Sequence, residues 1–237
     1  MGQIYDITPF TQLDFPGELA CIVWFSGCNL RCAYCHNPDI VLKRGDKEAD
    51  EVVSFLQTRQ GKLTGVVFSG GEATFCPALP DLARQAKAMG FKTKLDTNGS
   101  NFDAVRDLVE EGSLDSVALD YKCPPHLAEK LIGTARFNEP FRQTLDYLIA
   151  ASRIGKVLFE TRTTVAFDYM AEDDIAQIIE DLGARGYQGI YWLQNVVASG
   201  EKTLGNIPAP GRSLDRSRLP EPKGFKLGFR NFAEALR

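Results

Sequence analysis

The segment from residue 65 to residue 96 reads GVVFSGGEATFCPALPDLARQAKAMGFKTKLD and contains two strand-like runs on either side of a helical pattern. Residues 65–69 form an apolar run, residues 92–96 are the next strand candidate, and residues 79–89 have the apolar spacing of an amphipathic helix. A strand, a helix and a second strand in this order predict a βαβ unit with two parallel strands.

The same alternation extends along the chain in both directions. Strands are predicted at 19–25, 65–69, 92–96, 116–122, 156–165 and 189–197, and helices at 49–57, 79–89, 102–111, 141–153 and 172–185. Six strands that alternate with five helices predict an α/β fold with a parallel sheet, either an open doubly wound sheet or a barrel-like array. In both, ligands bind beyond the carboxyl ends of the strands.

Composition excludes several classes of protein. The chain has 237 residues and a formal net charge of −4, and it contains no run of lysine and arginine that would bind a phosphate backbone. No apolar window is long enough to cross a membrane, and the N-terminus does not resemble a signal peptide. We therefore predict a soluble cytoplasmic protein that binds neither nucleic acid nor membrane, and whose six cysteines are reduced.

Three of those cysteines lie close together directly after the first predicted strand. Cys28, Cys32 and Cys35 have the spacing C-x3-C-x2-C, which lets three thiolates surround one soft metal centre. A structural zinc ion would need a fourth ligand, and His36 is adjacent to Cys35, where the chain can hardly supply two neighbouring corners of a tetrahedron. A cubane iron–sulfur cluster on three cysteines would keep one iron open for a substrate or cofactor.

Polar residues follow three other predicted strands and should meet the cysteines at one edge of the sheet. These segments are Gly70-Gly71-Glu72, Asp96-Thr97-Asn98-Gly99 and Asp120-Tyr121-Lys122-Cys123. Paired glycines permit close backbone approach, and a carboxylate can bind an ammonium group. Arg162, on the polar side of the fifth predicted strand, could reach a cofactor carboxylate.

The cysteine spacing, with Tyr34 before the third cysteine, resembles the signature of the radical S-adenosylmethionine superfamily. The resemblance implies a partial (β/α)6 TIM-like barrel with parallel strands and a site at the C-terminal rim; six strands are too few to close the usual eight-stranded barrel. It also implies a [4Fe-4S] cluster on Cys28, Cys32 and Cys35. The open iron would bind S-adenosylmethionine, which reduction cleaves to methionine and a 5′-deoxyadenosyl radical.

The run CNLRCAYCHNP at residues 28–38, together with the DTNG and DYK segments, is similar to glycyl-radical-enzyme activases. The opening segments ITPF and DFPG are most similar to the longer activating proteins of anaerobic ribonucleoside-triphosphate reductase. This resemblance implies a glycyl radical enzyme as partner and flavodoxin or ferredoxin as reductant. It covers residues 1–200, predicted as one radical S-adenosylmethionine domain, and leaves 201–237 as a loop or tail with a short helix near 231–236.

The resemblance also implies roles for individual residues. The expected cofactor-binding residues are Tyr34, His36, Gly70, Gly71, Glu72, Asp96, Asn98, Lys122 and Arg162. In this interpretation Glu72 meets the amino group of the cofactor. Asp96, Thr97 and Asp120 would hold a monovalent cation, for which oxygen ligands are suitable.

Several alternatives remain open from the sequence. The enzyme could modify a small molecule or a peptide, or the chain could be a non-catalytic metal-cluster module. Some relatives place a histidine near the end of the last strand, where this chain has Gln194 and Asn195. Cys76 and Cys123 lie at the predicted rim, but lone cysteines are more commonly small packed hydrophobic residues.

Overall fold

The computed structural model describes residues 3–196, 203–207 and 211–232, and its core is one eight-stranded sheet with the strands in sequence order. The strands are β1 Ile4–Thr11, β2 Ala20–Phe25, β3 Gly65–Gly70, β4 Lys92–Thr97, β5 Ser116–Asp120, β6 Leu158–Val165, β7 Ile190–Asn195 and β8 Lys226–Arg230. Strand β1 is antiparallel to β2, and every other neighbouring pair is parallel. All the carboxyl ends from β2 to β8 therefore lie at the same rim.

Helices connect the parallel strands and cover one face of the sheet. They are α1 Pro38–Leu42, α2 Ala49–Gln57, α3 Leu79–Ala88, α4 Phe102–Glu110, α5 Ala128–Ile132, α6 Asn138–Arg153 and α7 Glu172–Ala184. Their buried positions recur every three to four residues, as at Ile175, Ile178, Ile179 and Leu182 of α7. This spacing directs one apolar stripe of each helix onto the sheet.

The predicted α/β partial barrel is confirmed, and its six predicted strands correspond to β2–β7. Two strands were not predicted. Strand β1 contains Pro9 and mixes exposed with buried positions, which obscures its period, and proline is tolerated there because β1 is an edge strand. Strand β8 lies in the segment 201–237, which the sequence predicted to be a loop or tail with a short helix.

The two faces of the sheet have separate apolar cores. The helix-covered face carries the large core, whereas the inner face holds a small cluster of Phe15, Ala20, Ile22 and Val67 with Trp24 packed against it. Phe15 comes from the loop between β1 and β2, which folds over the inner face of the sheet. Residues closer to the rim on this face are polar or charged, such as Asp96, Asp120 and Arg162.

Described parts of the segment after β7 pack on the rim before the chain enters β8. The backbone N–H groups of Leu204 and Gly205 donate to the carbonyl oxygens of Cys35 and Ala33, at 3.0 and 2.8 Å. Further along, Arg212 pairs with Glu172 at the start of α7 at 2.5 Å. The predicted helix near residues 231–236 lies largely outside the described residues, and a domain boundary near residue 200 stays a prediction.

None of the helices in the described residues combines the length and the apolar character needed to cross a membrane.

Candidate active site

A cavity of about 270 Å³ opens at the carboxyl ends of the parallel strands, and the loop of residues 26–37 after β2 forms one wall of it. The predicted site residues that line this cavity are Cys28, Cys32, Tyr34, Cys35, His36, Gly70, Gly71, Asp96, Thr97, Asn98, Asp120, Lys122 and Arg162. They come from the ends of five elements that lie far apart in the sequence. Of the predicted set, Glu72 is not among the lining residues.

The cysteine loop is held by backbone hydrogen bonds from both sides. The N–H groups of Arg31 and Ala33 donate to the carbonyl oxygens of Ile132 and Leu131, at 3.0 and 2.9 Å, at the end of α5. The N–H of Leu30 donates to the Cys28 sulfur at 3.4 Å. The loop therefore presents its sulfur atoms from a fixed backbone rather than from an unsupported turn.

The chemistry of the cysteines fits a bound metal cluster. Cys28 and Cys32 are buried, and burial raises the pKa of both thiols, that of Cys28 to about 12. At neutral pH such a thiol is protonated unless a metal binds it, because coordination to a metal deprotonates a thiol outright. Within residues 3–196, 203–207 and 211–232, no three His, Cys, Asp or Glu side chains converge on a single-ion site. A four-iron cluster is wider than one ion and requires more widely spaced sulfurs.

The two glycines after β3 are required by the packing of the cysteine loop. A Cβ atom on Gly71 would lie 2.0 Å from the carbonyl oxygen of Gly27 and 3.2 Å from the Cβ of Cys28. Gly70 has φ +133°, and a Cβ there would lie 2.2 Å from the carbonyl oxygen of Phe25. The sequence predicted that these glycines allow close approach of a ligand, whereas the structure shows close approach of β3 to the end of β2.

Glu72 is buried beneath the cavity and is held entirely by protein groups. Its carboxylate accepts hydrogen bonds from the Thr74 hydroxyl at 2.6 Å, the Thr97 hydroxyl at 2.7 Å and the Asn98 N–H at 2.7 Å. Burial raises the pKa of this carboxyl, and the hydrogen bonds oppose that shift. In this structure Glu72 therefore positions the turn after β4; contact with a cofactor amino group stays a prediction.

A chain of alternating charges crosses the cavity floor from β4 to β6. Arg162 lies 3.3 Å from Asp96 and 2.5 Å from Asp120, and Lys122 lies 2.8 Å from the other oxygen of Asp120. Burial alone would raise the pKa of Asp120, but Arg162 and Lys122 outweigh it and lower this pKa to about 2. The floor therefore presents ionised groups of both signs, which suits a zwitterionic amino-acid moiety.

The predicted cation ligands Asp96, Thr97 and Asp120 lie together, but protein groups already engage them. Arg162 bridges the two carboxylates, and the Thr97 hydroxyl donates to Glu72 while it accepts from the N–H of Gly99 at 3.0 Å. A cation site on these three residues stays a prediction.

Tyr34 and His36 lie on either side of Cys35 and line the cavity. The Tyr34 hydroxyl is buried and has no hydrogen-bond partner among the described residues. Lys122 Nζ lies 5.9 Å from the centre of its ring, an arrangement that a cation–π contact stabilises. An orphaned hydroxyl in a cavity wall is a group that a bound molecule could satisfy.

Several residues that line the cavity were not predicted from the sequence. Asp14, Trp24 and Thr164 are examples, and Trp24 and Thr164 lie on inner-facing positions of β2 and β6. The period-two alternation of those strands could have indicated them, because side chains two residues apart share one face. Asp14 comes from the loop after β1, whose position on the inner face only the fold reveals.

The cavity has three thiols in one loop and a charged floor, and it lies on a parallel partial barrel. These features define a class of enzyme that combines a metal cluster with a bound cofactor. Comparisons with known proteins identify the family. Residues 22–182 match the model of the radical SAM superfamily, and the chain belongs to that superfamily. Its members use a [4Fe-4S] cluster and S-adenosylmethionine.

Two relatives illustrate the similarity. The chain is 31% identical over 177 residues to a candidate glycyl-radical enzyme activating enzyme of Methanocaldococcus jannaschii, a match covering 73% of this chain and 72% of that protein. It is 37% identical over 131 residues to the pyruvate formate-lyase-activating enzyme of Clostridium pasteurianum. The second match covers 52% of this chain and 53% of the relative, so the chain spans about half the length of that protein.

The fold is also similar to a solved structure with the cofactor bound. Streptococcus suis SuiB bound to S-adenosylmethionine superposes with a TM-score of 0.62 and 16% sequence identity. The match covers 86% of this chain and 48% of SuiB. At this identity the likeness supports the fold alone.

Proposed function

We propose that this protein is an activating enzyme that installs a glycyl radical on a partner enzyme, such as anaerobic ribonucleotide reductase. The observation that carries the proposal is the single cavity that unites the three cysteines with the charges of Asp96, Arg162, Asp120 and Lys122. Similarity to glycyl-radical enzyme activating enzymes supports this choice of reaction.

Different residues would bind the cluster and the S-adenosylmethionine. Cys28, Cys32 and Cys35 would hold the cluster, and Arg162 and Lys122 would bind the carboxylate of S-adenosylmethionine, with Tyr34 and His36 near its adenine. When bound, the reduced cluster would supply an electron for cleavage of S-adenosylmethionine, and the cofactor would supply the radical that removes a hydrogen atom from the Cα of the partner's glycine.

The open sheet supports a macromolecular substrate. Strands β1 and β8 are the two edges of the sheet, and in the described part of the chain they do not pair with each other. A loop of the partner could enter between them and reach the cavity. We further propose flavodoxin or ferredoxin as reductant and the cytoplasm as the compartment, where the six cysteines would not form disulfides.

The first test is cofactor cleavage by the purified protein. Protein prepared without oxygen, loaded with iron and sulfide and reduced with dithionite should convert S-adenosylmethionine to 5′-deoxyadenosine, measured by chromatography. Cys32→Ala should lose both iron and product, because two cysteines cannot hold the cluster. Cys21→Ala, a buried cysteine in β2, is the matched control and should retain both.

The second step adds a candidate partner to the same mixture. A glycyl radical signal in electron paramagnetic resonance with anaerobic ribonucleotide reductase would support the activase. Product without a radical on any glycyl radical enzyme would favour an enzyme that modifies a small molecule or a peptide. Absence of 5′-deoxyadenosine from a cluster-loaded sample would contradict the proposed enzyme and favour the non-catalytic module.

A further inference from the structure

A second cavity of about 500 Å³ lies beside the first, on the inner face of the sheet. Its walls are Leu13, Asp14, Pro16, Lys94, Glu160, Arg162, Gln194, Arg230 and Asn231. Asp14 and Arg162 line both cavities, so the two adjoin each other. A molecule in the second cavity would therefore lie next to whatever occupies the first.

The two cavities differ in which parts of the chain form them. Of the residues around the first cavity, only Asp14 lies outside the segment 22–182 that matches the superfamily. Six of the nine around the second lie outside it, in the β1–β2 loop and in β7, β8 and Asn231. Walls shared with the whole superfamily suit the common cofactor, whereas walls outside the matched segment suit a substrate particular to this enzyme.

Charged groups inside this second cavity are incompletely paired. Glu160 Oε1 is buried and accepts no hydrogen bond from the described residues, and Lys94 Nζ lies 3.8 Å from it. Lys94 itself is engaged by the Asp14 carbonyl at 2.6 Å and by Asp96 at 3.0 Å. A buried acceptor without a donor is costly, and a ligand N–H would remove that cost.

Arg230, on β8, provides the complementary donor beside Glu160. Its guanidinium lies 4.0 Å from the centre of the Trp192 ring, and its Nη2 is 3.5 Å from Glu160 Oε2, at the limit of a hydrogen bond. Stacking fixes the guanidinium plane while its N–H groups stay able to bind an acceptor. The cavity thus pairs one acceptor, Glu160, with one donor, Arg230.

We propose that this second cavity binds the main chain of the substrate polypeptide around its target glycine, with Glu160 accepting from an amide N–H and Arg230 donating to a carbonyl oxygen. Glycine has no side chain, so an enzyme can recognise it directly only through its amide groups. The assignment rests on the proposed function, since it takes the substrate to be a polypeptide. A cavity of this size suits a short peptide segment.

One experiment measures how well cofactor cleavage is coupled to radical formation. The readout is glycyl radical per 5′-deoxyadenosine, with anaerobic ribonucleotide reductase or pyruvate formate-lyase as partner at subsaturating concentration. Glu160→Gln and Arg230→Gln should lower this ratio about tenfold, as expected from the loss of one charge-assisted hydrogen bond of about 1.5 kcal/mol. Arg230→Lys, which keeps the charge, should fall between wild type and Arg230→Gln.

Arg216→Gln is the matched control. Arg216 also stacks on a ring of β8, 4.0 Å from the centre of Phe229, but it does not line the second cavity. Its ratio should equal that of the wild type. An unchanged ratio in both Glu160→Gln and Arg230→Gln would overturn the proposal.

A binding measurement makes the assignment independent of the partner's identity. The chain has two tryptophans, so nuclear magnetic resonance of the oxidised, cluster-loaded protein gives two indole N–H signals, which Trp192→Phe assigns. Titration with N-acetylglycylglycinamide to about 50 mM, above millimolar dissociation constants, should shift the Trp192 signal in wild type. In Glu160→Gln the shift should be lost.

The outcomes separate the two proposals. Wild type that forms 5′-deoxyadenosine but no glycyl radical, while the Trp192 signal still shifts with the blocked peptide, would reject the activase function with these partners and support the peptide site. No Trp192 shift would overturn the site even if the radical forms. A larger shift with free glycine than with the blocked peptide would also overturn it, because it would indicate a small zwitterionic substrate.

Discussion

Glu172 is a single carboxylate that joins the C-terminal segment to the first turn of α7. Its side chain is 1% exposed, and it accepts from Arg212 at 2.5 Å and from the Asp215 N–H at 3.1 Å. The hydrogen bond from Arg212 is the largest cause that lowers the pKa of Glu172 to about 2. Because the carboxylate is ionised and paired in the folded state, it stabilises the fold at neutral pH.

Glu172→Gln should therefore destabilise the protein at neutral pH by about 2–3 kcal/mol, measured by urea unfolding of the cluster-free chain. The folded pKa of Glu172 lies below its ordinary value of 4.5, so its contribution is complete above about pH 4.5 and is lost as pH falls towards 2. The difference between wild type and variant should shrink across that window. Asp173→Asn, at an exposed neighbour that pairs with Arg218, should cost about 0.5 kcal/mol or less; an equal loss in both would contradict this account.

At the junction of β2, β3 and the cysteine loop, the packing of one element restricts the positions of the other two. Strands β2 and β3 pair in register up to Phe25 and Gly70, and the N–H of Glu72 then donates to the Gly27 carbonyl at 2.9 Å. This close approach leaves no room for a side chain at Gly71. The placement of Cys28 thus depends on a residue more than forty positions later.

Gly71→Ala should displace the cysteine loop, since its Cβ would overlap a backbone oxygen that cannot rotate away. We expect a loss of unfolding free energy of about 2–3 kcal/mol and a fall in iron and sulfide content. Gly211→Ala is the control, because among the described residues no atom beyond its chain neighbours lies within 4 Å of the added Cβ. Normal cluster content in Gly71→Ala would show that the junction does not position Cys28.

The stability of the whole partial barrel depends on apolar packing on its inner face as well as on its helix-covered face. Phe15 is 5% exposed and packs with Ile22, Val67 and Trp24 below the two cavities. Lys94 holds the same loop by a hydrogen bond to the Asp14 carbonyl. The loop between β1 and β2 therefore closes the part of the inner face that the cavities do not occupy.

Phe15→Ala should lower the free energy of unfolding by about 3 kcal/mol, because it opens a cavity in a cluster that has few other members. Phe10→Ala, in the neighbouring strand β1, removes a side chain that is 52% exposed and should change the free energy of unfolding by about 0.5 kcal/mol or less. Urea unfolding of both variants checks this. Equal free energies of unfolding in the two variants would show that Phe15 does not stabilise the inner face.

Local features of the sequence were sufficient to predict much of the fold. Strands β2–β7 and helices α2, α3, α4, α6 and α7 follow from apolar periodicity, because buried faces impose a period of two or 3.6 on the chain. The five-residue helices α1 and α5 were not predicted, because so short a helix shows no clear period. Strand β8 has no such signal, since its residues are only partly buried. Its place in the sheet depends on pairing with β7, which is a contact between distant residues.

The cysteine motif was likewise recognised from the sequence, because the C-x3-C-x2-C spacing puts three thiols in one short segment. Binding of the cluster by Cys28, Cys32 and Cys35 stays a prediction. The tertiary structure was needed for everything that depends on distant contacts: Glu72 turned beneath the cavity, Arg162 between Asp96 and Asp120, and a second cavity with walls from β4, β6, β7 and β8. Side-chain pairing of this kind depends on strand order and register. Those are properties of the assembled sheet and leave no local pattern in the chain.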